Sequence, residues 1–90
     1  MKSDYKCALR QYMTECFQKT RREAGMTQEA FSEKLMMDIR SYASLEHGDH
    51  LCCTLTFIIY LCFHCADPEG MIRDLRRILT KFINEERPVS

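Results

Sequence analysis

The stretch Gly25–Gly48, GMTQEAFSEKLMMDIRSYASLEHG, begins and ends on glycine and holds two short apolar patterns of helical period. Thr27 offers a hydroxyl to cap a helix from Gln28 to about Leu35, with Phe31 and Leu35 facing inward. Met36-Met37 make a brief turn. Asp38 then caps a second short helix that runs to about His47 and stops at Gly48, with Tyr42 and Leu45 on its inner side. Arg40, Ser41, Ser44 and His47 gather on a different stripe of that helix, so its two sides have different work to do.

Outward from this stretch the chain reads as more helix. Toward the N-terminus, Ser3-Asp4 supplies cap chemistry. Tyr5, Ala8, Leu9, Tyr12, Met13, Cys16, Phe17, Thr20 and Ala24 then trace one amphipathic face over five turns, ended by Gly25. Toward the C-terminus, after a loop over Asp49–Cys53, Thr54 is expected to cap a fourth helix that ends before Pro68. Leu55, Ile58, Ile59, Leu61, Cys62 and Cys65 form its apolar face, and Phe57, Tyr60 and Phe63 extend that face outward. Asp67 and Pro68 open a fifth helix with a stripe of Met71, Ile72, Leu75, Ile78, Leu79, Phe82 and Ile83, and residues 86–90 read as a frayed tail. The whole is expected to be one domain, residues 1–90, with its core in 4–66 and a packing or dimerisation helix over 68–86.

Composition agrees with an all-α chain. Ninety residues can bury one modest core, and three glycines, two prolines and no period-two alternation leave little material for a sheet. Thirteen basic and thirteen acidic residues give a net charge of zero, so attraction to a polyanion has to come from a local patch. Residues 1–17, MKSDYKCALRQYMTECF, carry charges throughout and no apolar signal core. The six cysteines are therefore expected to stay reduced in the cytoplasm, acting as small hydrophobes. The uncharged run Leu51–Ala66 falls short of the roughly 20 residues that cross a bilayer, and is expected to be a buried helix without membrane contact.

Two short helices on a tight turn, following a longer helix, make a helix-turn-helix. In its residues the stretch resembles the lambda-repressor-like, or Xre, family of transcription regulators. The resemblance rests on R-E-A-G-M-T-Q-E (22–29), Ser32, Leu35 and S-L-E-H-G (44–48), and spans about Phe17 to Cys65. It implies a compact five-helix domain whose third helix enters the major groove, bound as a homodimer to double-stranded operator DNA. Carried over by position, it makes Arg40, Ser41 and Ser44 the base readers, with Thr27 and Gln28 at the start of the second helix. Arg40 suits guanine O6/N7, and Gln28 suits a phosphate or an adenine edge. His47 is open between a phosphate contact and no role. The family's helix-one arginine and helix-three glutamate fall on Arg21 and Glu46, implying a structural ion pair that turns Glu46 away from DNA. The family usually has glycine in the turn where this chain has Met36.

From Phe17 to His50 there are five basic residues (Lys19, Arg21, Arg22, Lys34, Arg40) and six acidic ones (Glu23, Glu29, Glu33, Asp38, Glu46, Asp49), a net of −1. That balance keeps a second reading open: a helix-turn-helix repurposed for contact with a protein partner, as an antitoxin-like or regulatory subunit. The apolar residues Phe57, Tyr60, Phe63, Leu75, Leu79 and Phe82 are expected to form the homodimer interface. For Cys62-Phe63-His64-Cys65 core packing is the expected role, with a zinc cluster joined by Cys52-Cys53 as the alternative. No phosphate loop, nucleophile–base pair or H-E-x-x-H motif is present, so neither catalysis nor a cofactor is expected.

Overall fold

The computed structural model describes residues 4–86, which form five helices and no strand. They are α1 (Asp4–Glu23), α2 (Gln28–Lys34), α3 (Ile39–His47), α4 (Thr54–Ile59, continuing through a π-helical turn, Tyr60–His64) and α5 (Pro68–Glu86). The cap expected at Ser3 and the tail beyond Glu86 fall outside the described residues. Among those described, no helix is long and apolar enough to cross a membrane.

The short helices owe their limits to local chemistry. The Thr27 hydroxyl accepts from Ala30 N at 3.1 Å, and the Asp38 carboxylate accepts from Ser41 N at 2.8 Å, so each start satisfies one orphan N–H. Asp67 does the same for α5, accepting from Gly70 N at 3.0 Å. At the fourth helix the cap residue is Cys53, one position before the expected Thr54, and no side chain caps it.

Three helix ends use one device. Met26 N reaches back to Arg21 O, Met37 N to Ser32 O and Asp49 N to Ser44 O, each across five residues at 2.9–3.1 Å. The pattern requires a left-handed residue just past the helix, and those residues are Gly25 (φ 69°), Met36 (φ 58°) and Gly48 (φ 90°). Glycine takes this conformation freely, whereas at Met36 the Cβ crowds the following carbonyl oxygen, and the residue is 77% exposed.

The core is an aromatic chain that ties four helices together. Tyr60 of the π turn meets Phe17 of α1 (centroids 4.6 Å), Phe17 meets Tyr42 of α3 (6.4 Å), Tyr42 meets Phe31 of α2 (5.5 Å), and Phe31 meets His64 (5.7 Å), all edge to face. Met13, Leu35, Leu45 and Met71 fill the space around it. Each aromatic pair contributes about 0.5–1.5 kcal/mol beyond the burial of its area. The long helices α1 and α5 run on together past this core, with Tyr5 against Phe82, which extends the molecule to 50 Å in one direction against 25 and 20 Å in the others.

The α4 face differs from the sequence expectation. Thr56 and Tyr60 are buried, with Phe57, Ile59, Leu61 and Cys65 packed beside them, while Leu55, Ile58 and Cys62 point outward. An uncharged helix carries no polar side to mark its outside. The π turn, closed by Cys65 N to Tyr60 O at 2.9 Å, then shifts the register of everything after Ile59.

Met36→Gly removes the left-handed strain from the α2 end and gives up little packing. It is expected to raise stability by about 1 kcal/mol, a melting temperature roughly 4–8 °C higher for a domain of this size. A thermal melt followed by circular dichroism reads the shift, and a lower melting temperature would place that residue's contribution in its side chain instead.

Candidate functional site

The side chain that organises the α2–α3 unit is Glu46, which is 5% exposed. Arg21 grips its carboxylate with Nε on Oε2 at 2.6 Å and Nη2 on Oε1 at 3.1 Å, and Gln28 Nε2 donates to Oε1 at 3.0 Å. The Tyr42 hydroxyl donates to Oε2 from one helical turn away. Arg21 also donates through Nη1 to Met26 O at 3.0 Å, and Gln18 Nε2 donates to the Glu46 carbonyl at 3.1 Å. Helices α1, α2 and α3 are thereby joined at one point. Burial alone would raise the Glu46 carboxyl, but donation from Arg21, Tyr42 and Gln28 outweighs it and holds the group below its ordinary range. Burial and the same carboxylate push the Tyr42 phenol well up, so it stays a donor.

Gln28, expected to point at a phosphate or a base, is half-buried and donates from its amide nitrogen to Glu46 inside the fold. Ser41 donates its hydroxyl to Asp38 at 3.0 Å, within the cap of its own helix. Ser44 donates to Asp49 Oδ2 at 3.0 Å, and the His47 ring lies 3.0 Å from Asp49 Oδ1. That contact holds His47 above, and Asp49 below, their ordinary protonation ranges. Arg40 is exposed and enters no ion pair among the described residues. Thr27 is spent on its cap. The expected stripe thus shares one exposed side of α3 at Arg40 and His47, with Asp49 at its far end. Asp49 was the residue the sequence reading missed. The signal was Gly48, since a left-handed residue there folds the next side chain back over the last turn of α3.

The six residues expected at a dimer interface do not act together. Tyr60 is corrected outright: it is 3% exposed, in the core, its hydroxyl 2.8 Å from Thr20 Oγ1 and 3.3 Å from the Cys16 carbonyl. Burial pushes its phenol up to about 12. Phe57 and Leu75 pack against the same core, and Phe82 is half-buried beside Tyr5. Phe63 (78%) and Leu79 stand exposed. They share the exposed apolar surface with Leu51, Leu55 and Ile58 of the uncharged run and with Ile72 and Ile83 of α5.

Cys62 faces solvent while Cys65 turns inward, so the two do not converge, and no disulfide links the cysteines. Among the described residues no group of three His, Cys, Asp or Glu side chains is placed to hold a metal ion. A cleft of about 450 Å³ lies between α1 and the α4–α5 turn, reached by Tyr12, Cys16, Lys19 and Glu23. Thr14, Gln18 and Arg21, which meet α3 or Glu46, lie on the opposite side of α1.

Glu46→Gln leaves the half-buried Arg21 against a neutral partner. It is expected to cost about 3 kcal/mol in urea unfolding at neutral pH. The pH dependence has a definite sign. A carboxyl held below its ordinary value of 4.5 contributes stability above that pH and loses it as pH falls through the lower, folded value. The variant should therefore show a shallower acid limb, with Asp38 and Asp49 supplying what remains, and unchanged acid and urea curves would remove Glu46 from this role. No protein-family model, curated protein or solved structure matches the chain.

Proposed function

We propose that the chain is a small DNA-binding transcription regulator of the lambda-repressor-like kind, with α2 and α3 as its helix-turn-helix, acting as a homodimer on operator DNA. The observation that carries the reading is α3. Its inner side is fastened to α1 and α2 through Glu46, and its outer side offers an exposed Arg40, in no ion pair among the described residues, near the start of the helix. A rigid helix with a guanidinium at its leading end suits the major groove, where Arg40 can take guanine O6 and N7 together. The cap residues Ser41 and Thr27 set the angle of entry, and Ser44 and His47 reach the backbone once Asp49 releases them.

The second copy supplies the other half-site, about 34–36 Å along the duplex. Leu51, Leu55, Ile58 and Phe63 favour this arrangement, since they expose apolar surface on a stretch with no charged residue. A two-fold interface buries the same patch of both chains, and a face without charged residues does so without stranding a charge. Control is then by occupancy of a promoter. The reading in which the fold serves a protein partner instead draws support from Asp49, whose carboxylate sits on Ser44 and His47 where a phosphate would have to come.

A selection of random duplexes at low salt is expected to enrich a palindrome. Arg40→Ala should weaken binding to it by about 1–3 kcal/mol and blur one base pair in each half-site. Affinity should fall with salt at a slope near −0.9 per phosphate neutralised, and Asp49→Asn should tighten binding by freeing Ser44 and His47. Ile58→Asp should yield monomers by light scattering. No enriched duplex from a folded protein, with Asp49→Asn without effect, would favour the protein-partner reading.

A further inference from the structure

The sulfur atoms fall into distinct environments. Cys7, Cys53 and Cys62 are exposed, whereas Cys16 and Cys65 are half-buried and open into the cleft between α1 and the α4–α5 turn. Met71 closes the floor of that cleft, 3% exposed, and its thioether lies 3.8 Å from Cys65 Sγ. Cys16 sits across from them on α1, its carbonyl held by the Tyr60 hydroxyl. Burial pushes the Cys16 thiol up.

We infer that Cys16, Cys65 and Met71 form a binding site for one soft monovalent metal ion, Cu(I). Two thiols and a thioether are the donor set that selects Cu(I) over the harder divalent cations, which prefer imidazole or oxygen. Metal–sulfur bonds of about 2.3 Å at trigonal angles hold sulfurs roughly 4 Å apart, close to the Cys65–Met71 separation already present. The donors come from three places, α1, the end of the π turn and the first turn of α5, so the ion adds a further link between elements already tied by the Tyr60 hydroxyl to α1 and by Tyr12 to Asp74. The cleft wall carries Glu15, Glu23, Asp67 and Asp74 against Lys19 and Arg73, an acidic excess that favours entry of a cation.

Binding forms three metal–sulfur bonds and releases two thiol protons to solvent, leaving a complex of net charge −1 with no change of oxidation state. Affinity accordingly rises with pH. The site faces away from α3, so the inference stands independently of the DNA-binding proposal.

Anaerobic titration of the reduced protein with Cu(I) supplied as its bicinchoninate complex tests it. One ion per chain is expected, with a thiolate-to-metal absorption band and a higher melting temperature for the loaded protein. Cys16→Ala and Cys65→Ala, which keep apolar packing, should each weaken binding by roughly a hundredfold, and Met71→Leu by roughly tenfold. Cys53→Ala serves as the control, because Cys53 is the exposed thiol that Thr56 makes more acidic and the one that casual binding would choose. Each variant's melt without metal reports whether it folds. If Cys53→Ala abolishes binding, or if folded Cys16→Ala and Cys65→Ala bind as the parent does, the site is overturned.

Discussion

A carboxylate placed in a protein interior destabilises the fold unless donors surround it, and this domain is organised around supplying those donors to Glu46. Both oxygens are occupied, by Arg21 from α1, Gln28 from α2 and Tyr42 from α3 itself. A salt bridge of this kind adds little net stability compared with an apolar substitute, but it constrains geometry. Arg21 has a planar fork, and only one placement of α3 against α1 lets both its nitrogens meet both oxygens. The orientation of α3, and with it the direction in which Arg40 projects, follows from that match.

The aromatic chain from Tyr60 to His64 works on the other side of the same helices and supplies the bulk of the burial. Tyr42 belongs to both systems, since it presents its ring to Phe17 and Phe31 and its hydroxyl to Glu46. One residue therefore links the apolar core to the polar lock. The left-handed Met36 fits the same picture. A short α2 has to stop there so that Asp38 can start α3 in the right place, and the chain tolerates a strained methionine because packing on both sides fixes the turn.

Three surfaces result, each on a different part of the molecule. The outer side of α3 carries Arg40 and His47, the uncharged run carries Leu55, Ile58 and Phe63, and the cleft behind α1 carries the sulfurs. Because α1 presents Arg21 to α3 and Cys16 to the cleft from opposite sides, an event in the cleft reaches α3 only through the stiffness of that helix.

Local signals settled much of this in advance. Helix spacing, Thr27, Asp38, Gly25 and Gly48 marked the number and limits of the first three helices, because caps and left-handed stops act within a few residues. Phe31, Leu35, Tyr42 and Leu45 were legible as core for the same reason: amphipathic helices label their own buried side. The pairing of Arg21 with Glu46 came only through resemblance to a known family, since 25 residues of chain separate the two. Where the sequence carried no contrast, tertiary structure decided. Leu51–Ala66 has no charged residue to mark an outside, so the choice of Tyr60 over Ile58 for the core depended on how α4 met Phe17 and on the wide turn at its end. Likewise Gln28 and Ser44 each have two uses, and only the arrival of Glu46 and Asp49 beside them determined which one the folded chain employs.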